Sequence, residues 1–355
     1  MPNKDFAIIL TWPDATIRGD EQWMMFFKRI GLVKNLNFKV GHTGIVIVNH
    51  QNGEMLFYDF GRYITPRGYG RARSKYSDPL LEIKLNARIN DNKIRNLEEI
   101  ILHFENLKPF MYGEGTLLFS VVEDIDFYKA REYGDSWVLR GTYPYGAVAR
   151  NNNNCSRFIS RMLLKSSPKF HFWHGINLPE TIKSSPVSNL VNSTADRMIY
   201  SYVQEEGLKH VRMNRWQSLG FLIRQLGDNI KRKKANLLPA DQAIGAMKFN
   251  SKPITIPKNA TYLGGVGDGA WYTAVYDENC SLFTIKRFTS YGHLEYVVQG
   301  KTSAPFDPKE KWSVTYDSHL LFTHIEQKGI KIRIDHTAQL STEEYRYEHI
   351  QERYA

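Results

Sequence analysis

Apolar positions along this chain fall into short blocks with two different periods. Residues 6–10 form an unbroken apolar run that reads as a first strand. Residues 21–30 gather Trp23, Met24, Phe26 and Phe27 in a short helix. Residues 40–48 are rich in β-branched side chains, and the turn pair Asn52-Gly53 separates them from a second apolar stretch at 54–60. Such a pair predicts a hairpin whose first arm is mostly buried. Further on, Ile94, Leu97, Ile101 and Phe104 recur at helical spacing after Asp91, a plausible N-cap, and Pro109 closes that helix. Residues 116–122 read as a strand.

Four consecutive asparagines, Asn151 to Asn154, are poor helix interior but good loop and cap. Immediately after them Phe158, Ile159, Met162 and Leu163 repeat at helical spacing, up to the stop at Ser166-Ser167-Pro168. Residues 165–192, with three prolines, read as loop. Residues 211–230 predict another amphipathic helix, running into Lys231-Arg232-Lys233-Lys234, where cations suit a helix C-terminus. A boundary is expected near Leu238-Pro239. Beyond residue 250 the texture changes to short strands at 271–276, 282–288, 294–298, 312–316, 320–325 and 330–334, which predicts an antiparallel meander.

Composition narrows the class. With 42% hydrophobic and 13% aromatic residues in 355, the chain can bury a substantial core, which excludes wholesale disorder. The net charge of +10 favours anionic partners without naming one. The start of the chain lacks the long apolar stretch and small-residue cleavage site of a signal peptide, and no stretch is long enough to span a membrane. A cytoplasmic protein with reduced cysteines is therefore expected, with export by a non-classical route left open.

Only two cysteines occur, so their settings matter. Cys155 is expected in the first turn of the helix after the asparagine run. Unpaired amides there favour an anion and lower a thiol's pKa. The same amides, helped by the side chain of Asn153 or Asn154, can receive an oxyanion. Cys280 follows Asp277-Glu278-Asn279, and acidic neighbours disfavour a thiolate. A base is offered by His42, flanked by glycines on the first arm of the hairpin. Asp59, on the second arm, shares the face of His42 if paired residue numbers sum to 101 or 103. A two-residue Asn52-Gly53 turn would give 105 and carry Asp59 too far, so the pairing needs a wider loop.

A glycine-histidine-small-glycine-aliphatic strand, a polar residue on the next strand, and an asparagine-cysteine-serine at a distant helix start resemble one family. These are the circularly permuted NlpC/P60 (papain-like) cysteine hydrolases, including the lecithin–retinol acyltransferase-like and YiiX-like groups. The resemblance covers roughly residues 5–190. It implies Cys155 as nucleophile, His42 as base and Asp59 as the orienting third residue. The chain departs from the pattern in a long insertion between hairpin and helix. It also has Asp59 where some acyltransferases of the group carry a second histidine.

The expected architecture is α+β: a permuted papain-like domain over residues 1–245 and a small C-terminal antiparallel β domain over 250–355, a possible recognition module. The expected function is thiol-dependent hydrolysis of an amide in a peptide or peptidoglycan-type substrate through an acyl-enzyme on Cys155. The alternatives are a lipid-directed acyl hydrolase or acyltransferase of the same fold, and a non-catalytic binding protein that keeps it. Arg62, Arg67, Arg71 and Arg73, in one glycine-containing loop after Asp59, are candidates for binding a substrate carboxylate or phosphate. No cofactor, metal or nucleic-acid motif is expected. The glycine-rich run 264–269 lacks the lysine of a phosphate loop, and His171 and His174 match no zinc spacing.

Overall fold

The first apolar run forms the central strand of a large antiparallel sheet. A computed structural model describes residues 5–341 apart from 20–21, 147–148, 150, 168–183, 204–205, 229, 239–251 and 267. By internal contacts the chain divides into two compact units. The first comprises residues 1–61, 68–75 and 80–244; the second comprises 62–67, 76–79 and 245–355. His171, His174 and the boundary expected near Pro239 lie outside the described residues.

In chain order, the strands of the first unit are β1 (Asp5–Trp12), β2 (Thr16–Arg18), β3 (Asn37–Lys39), β4 (His42–Val48), β5 (Met55–Gly61) and β6 (Tyr69–Arg73). They continue with β7 (Ile89–Asn90), β8 (Lys93–Ile94), β9 (Leu117–Ile125), β10 (Tyr143–Pro144), β11 (Met198–Val203) and β12 (Gly207–Arg212). Eight of them form one sheet in the order β10-β6-β5-β4-β1-β9-β11-β12. The first helices are α1 (Gln22–Arg29), α2 (Leu97–Leu107), α3 (Phe127–Arg140) and α4 (Cys155–Ser166).

Both faces of the sheet are covered. On one, Phe6, Ile8, Leu10, Trp12, Val46, Phe57 and Phe119 pack with Ile100, Ile101 and Phe104 of α2. On the other, the Phe60 ring stacks on Phe158 of α4 at 6.0 Å and meets Trp137 of α3 edge-on at 5.8 Å. Tyr58 donates to Asp135 of α3 across 2.7 Å. Burial on both sides explains why β1 and β4 are continuous apolar runs rather than alternating ones.

Several elements differ from the sequence expectation. Asp91 is not a helix cap; it sits at φ +50° in the tight turn between β7 and β8, and α2 starts after Asn96. Helix α3 was not expected. Its inward positions include Ala130 and Gly134, too small to stand out as apolar. Gly134 is small because a Cβ there would lie 2.6 Å from the Tyr58 ring. Part of the expected loop is helical, at Pro186–Ser193. Ser185 caps it by accepting from the Ser188 amide, and proline takes the first turn, where its missing N–H costs nothing. The helix expected from residue 211 starts only at Arg215, because β11 and β12 form a hairpin before it.

The second unit carries β13 (Thr261–Gly264), β14 (Gly269–Asp277), β15 (Leu282–Thr289), β16 (Leu294–Lys301), β17 (Ser313–His319), β18 (Phe322–Gln327) and β19 (Ile330–Leu340). They are antiparallel, but not a simple meander. The order is β13-β14-β15-β16-β19-β18-β17, so the chain leaves β16 for the far edge and works back. The two edges nearly close on each other: the Tyr316 hydroxyl on β17 donates to the Gly264 carbonyl on β13 across 2.8 Å. Tyr272, Phe283, Tyr296, Val298, Ile325 and Ile334 fill the interior, and Ile64 joins them.

Candidate active site

Helix α4 begins where the asparagine run ends. Asn154 is extended (φ −154°, ψ 175°), and its side-chain oxygen accepts from the Arg157 amide at 2.9 Å. That cap makes Cys155 the first helical residue. Phe158, Ile159, Met162 and Leu163 are fully buried and hold the helix against the rest of the unit. The Arg157 guanidinium, itself buried, donates to the carbonyls of Ala149 at 2.7 Å and Asn152 at 3.2 Å, which ties the preceding loop to the helix. The first intrahelical amide bond is Phe158 N–H to Asn154 at 2.9 Å, so the amides of Cys155 and Ser156 have no intrahelical partner.

His42 opens β4. Gly41 before it has φ +83°, and a Cβ there would sit 3.0 Å from the Pro13 Cα and the Trp12 carbonyl. The turn into β4 therefore requires glycine. His42 pairs with Trp12 across β1 and β4, and the two rings are nearly parallel, 7° apart with centroids at 6.4 Å. Trp12 is fully buried, so it backs one side of the imidazole.

The hairpin register puts Gly44 opposite Asp59, a sum of 103. The loop is wider than two residues: β4 ends at Val48 and β5 starts at Met55, with the Asn49 side chain accepting from the amides of Gln51 and Asn52. Asp59 thus lies diagonal to His42 on one face, and His42 Nε2 lies 3.1 Å from Asp59 Oδ2. With Nε2 so used, Nδ1 is the ring nitrogen left for Cys155, to which the imidazole is also hydrogen-bonded.

The electrostatics of the three groups are mutual. Burial pulls the His42 pKa down, but the hydrogen bonds to Asp59 and Cys155, and their charges, push it up to about 9. Burial pushes the Cys155 thiol up, but the hydrogen bond and charge of His42 outweigh it, with help from the Ser156 hydroxyl and amide, so the net direction is down. Burial also pushes Asp59 up, and the charge of Arg73, the hydrogen bond from His42 and that from Arg73 bring it to about 2. Both shifts run in the direction of a thiolate beside an imidazolium that a carboxylate supports.

The two asparagines expected near the sulfur differ. Asn154 is committed as the helix cap, and its Nδ2 donates to the Gly146 carbonyl at 3.4 Å. Asn153 is fully buried; its oxygen accepts from the Asn154 amide at 3.1 Å, while its Nδ2 has no partner among the described residues. Because Asn154 is extended, Asn153 and Cys155 project to the same side of the chain.

The four arginines do not form the exposed cluster expected of a loop. Residues 69–73 are a strand, so Arg71 and Arg73 point inward and are 2% and 3% exposed. Arg73 grips Asp59 instead of awaiting a substrate. Arg62 is buried and Arg67 exposed, and both belong to the second unit. Trp12, Arg73 and Arg157 carried no local sequence signal for their places at the site, since each meets it through pairing or packing. Both cysteines are free, Cys155 buried and Cys280 exposed. Among the described residues no group of His, Cys, Asp and Glu could hold a metal, and no helix is long and apolar enough to cross a membrane.

The molecule is thus of mixed α/β class, with a buried cysteine–histidine–aspartate line in its first unit and a near-closed antiparallel sheet in its second. Residues 7–172, a little under half the chain and spanning all three side chains of that line, match the family model described as type VI secretion system effector TseH-like. Residues 260–337 match the model described as the DUF6695 C-terminal domain. The crystal structure of the type VI secretion system effector TseH is similar at 16% identity, covering 59% of this chain and 98% of that one, with a TM-score of 0.39. No curated protein matches.

Proposed function

We propose that the first unit is a papain-like thiol hydrolase that cleaves an amide in a peptide or peptidoglycan-type polymer through an acyl-enzyme on Cys155. One arrangement supports the reading above all: a buried thiol at a helix start, its proton drawn to an imidazole that a buried carboxylate holds. The match of residues 7–172 extends the proposal to an effector of a type VI secretion system.

In this reading the Cys155 thiolate attacks the carbonyl carbon. The carbon–sulfur bond forms as the C=O π pair moves to oxygen, and the oxyanion meets the amide of Cys155 at the start of α4 and the Asn153 Nδ2. On collapse the carbon–nitrogen bond breaks, and the His42 imidazolium gives its proton to the leaving amine. Water then attacks the thioester while His42 takes its proton; the carbon–sulfur bond breaks, and acid and thiolate are released. Asp59 keeps its charge throughout and holds Nε2–H, so that Nδ1 faces the sulfur.

The test is incubation with purified peptidoglycan and with a synthetic peptide library, reading newly released amines by mass spectrometry. The wild type should cleave at least one, and Cys155→Ala and His42→Ala should cleave neither. A wild type that leaves both substrates intact, or a Cys155→Ala protein that cleaves as fast, overturns the proposal.

A further inference from the structure

One row of residues crosses three strands: Gly44 on β4, Asp59 on β5 and Arg73 on β6. Arg73 Nε donates to Asp59 Oδ1 at 3.0 Å, and Nη2 donates to Oδ2 at 2.6 Å. That same Oδ2 faces His42 Nε2. The remaining guanidinium nitrogen, Nη1, donates to the Phe110 carbonyl at 3.2 Å, and the guanidinium carbon lies 5.0 Å from the centre of the Tyr112 ring. Every group on the guanidinium is therefore employed in fixing its plane.

We propose that Arg73 is a positioning residue of the thiol site: its two-pronged grip holds Asp59 as an anion in the orientation that meets His42, and through Asp59 it governs how the proton is shared between His42 and Cys155. This rests on the function proposed above.

A carboxylate with no exposure needs partners for both oxygens. His42 reaches only one, and the planar guanidinium fork supplies the other and shares the first. A lysine there would bring charge without the fork. Loss of Arg73 has two conceivable effects of opposite sign. The carboxyl can stay ionised and pull harder on His42, or it can take up a proton and release the imidazole. Burial is the largest influence on Asp59, and the charge of Arg73 is the largest one opposing it. Without Arg73 the largest influence opposing burial is gone, so the expected outcome is that the carboxyl takes up a proton and the imidazolium loses its support.

The test reads the thiol rather than turnover. In a Cys280→Ser background, which removes the exposed competing thiol, the rate constant for iodoacetamide is measured from pH 4 to pH 10. The parent should keep its reactivity well below pH 7. Arg73→Gln should move the curve up by at least about one pH unit, which is about tenfold slower alkylation at pH values below the parent's midpoint. Arg73→Lys should recover part of that. A purely structural arginine would lower the urea midpoint and leave the curve in place. An Arg73→Gln curve that is unmoved, or moved down, overturns the proposal. If Arg73→Gln does not fold, Arg73→Lys decides, and a curve identical to the parent's overturns it. A parent that reacts only as an ordinary thiol would instead sink the hydrolase reading itself.

Discussion

The titration of His42 tests the site most directly. Its pKa rises from 6.5 to about 9 although burial alone would lower it. At about 1.4 kcal/mol per pH unit, the rise is worth roughly 3 kcal/mol in favour of the imidazolium. At pH 7 the charged ring should then outnumber the neutral one by about 100 to 1. Cys155→Ala removes the thiolate's share of that support and leaves Asp59 in place. The variant's His42 should titrate lower than the wild type's by about one pH unit or more. Asp59→Asn removes the larger share and leaves burial unopposed by a carboxylate, so His42 should titrate lower still. Nitrogen chemical shifts of labelled imidazoles, followed by NMR from pH 5 to pH 10, separate the three proteins. A wild-type midpoint at or below 6.5, or the same midpoint in Cys155→Ala, would refute the reasoning. Stability carries a matching signature. The raised histidine stabilises in full below pH 6.5 and loses that contribution as pH rises through 9. The lowered thiol stabilises above its ordinary value of 9 and loses that contribution as pH falls. The two slopes oppose each other where both groups titrate, because folding draws a proton from sulfur as it adds one to nitrogen. Asp59, lowered from 3.8 to about 2, adds roughly 2 kcal/mol that is present above pH 3.8 and lost as pH falls through 2.

Three other perturbations have expected outcomes. Asn154→Ala should cost about 1 kcal/mol in urea unfolding as a lost helix cap, whereas Asn153→Ala should lower kcat about a hundredfold or more with little change in KM, as a lost oxyanion donor. Equal effects of the two in both assays would count against that division. Gly44→Ala should destabilise by about 1–3 kcal/mol, since its Cβ would lie 2.4 Å from the Phe57 ring; an unchanged melting temperature would contradict the packing. A chain ending at residue 244 should aggregate on size-exclusion chromatography. It would leave Ile64 without the core it joins and Asp78 without its 3.2 Å ion pair to Arg287, so a monodisperse truncation would show that these contacts are dispensable.

How far the site was legible depended on whether each signal was local. The helix after the asparagine run could be read because cap, nucleophile and apolar face lie within a few residues of one another. The hairpin could be read because its two arms are adjacent in the chain. Even so, whether Asp59 shares a face with His42 turned on one register step, and the Asn49 side chain, which widens the loop, settled it. The arginines went astray for the same reason. Glycines suggested a loop, but Ala72 and Arg73 pair with Phe60 and Asp59, which makes the segment a strand and turns a surface charge into a buried one. Helix α3 carries no apolar period in the sequence because close packing on Tyr58 demands glycine where a period would show a large apolar residue.

Local patterning was enough to place the elements that carry Cys155, His42 and Asp59, and to give the chemical character of those residues. It also marked the change of texture after residue 250. Strand pairing across the unit places β1 beside β4, so that Trp12 stacks on His42, and β6 beside β5, so that Arg73 grips Asp59. Strand neighbours are chosen by which apolar faces are buried together across the whole unit, and no short stretch of chain carries that information.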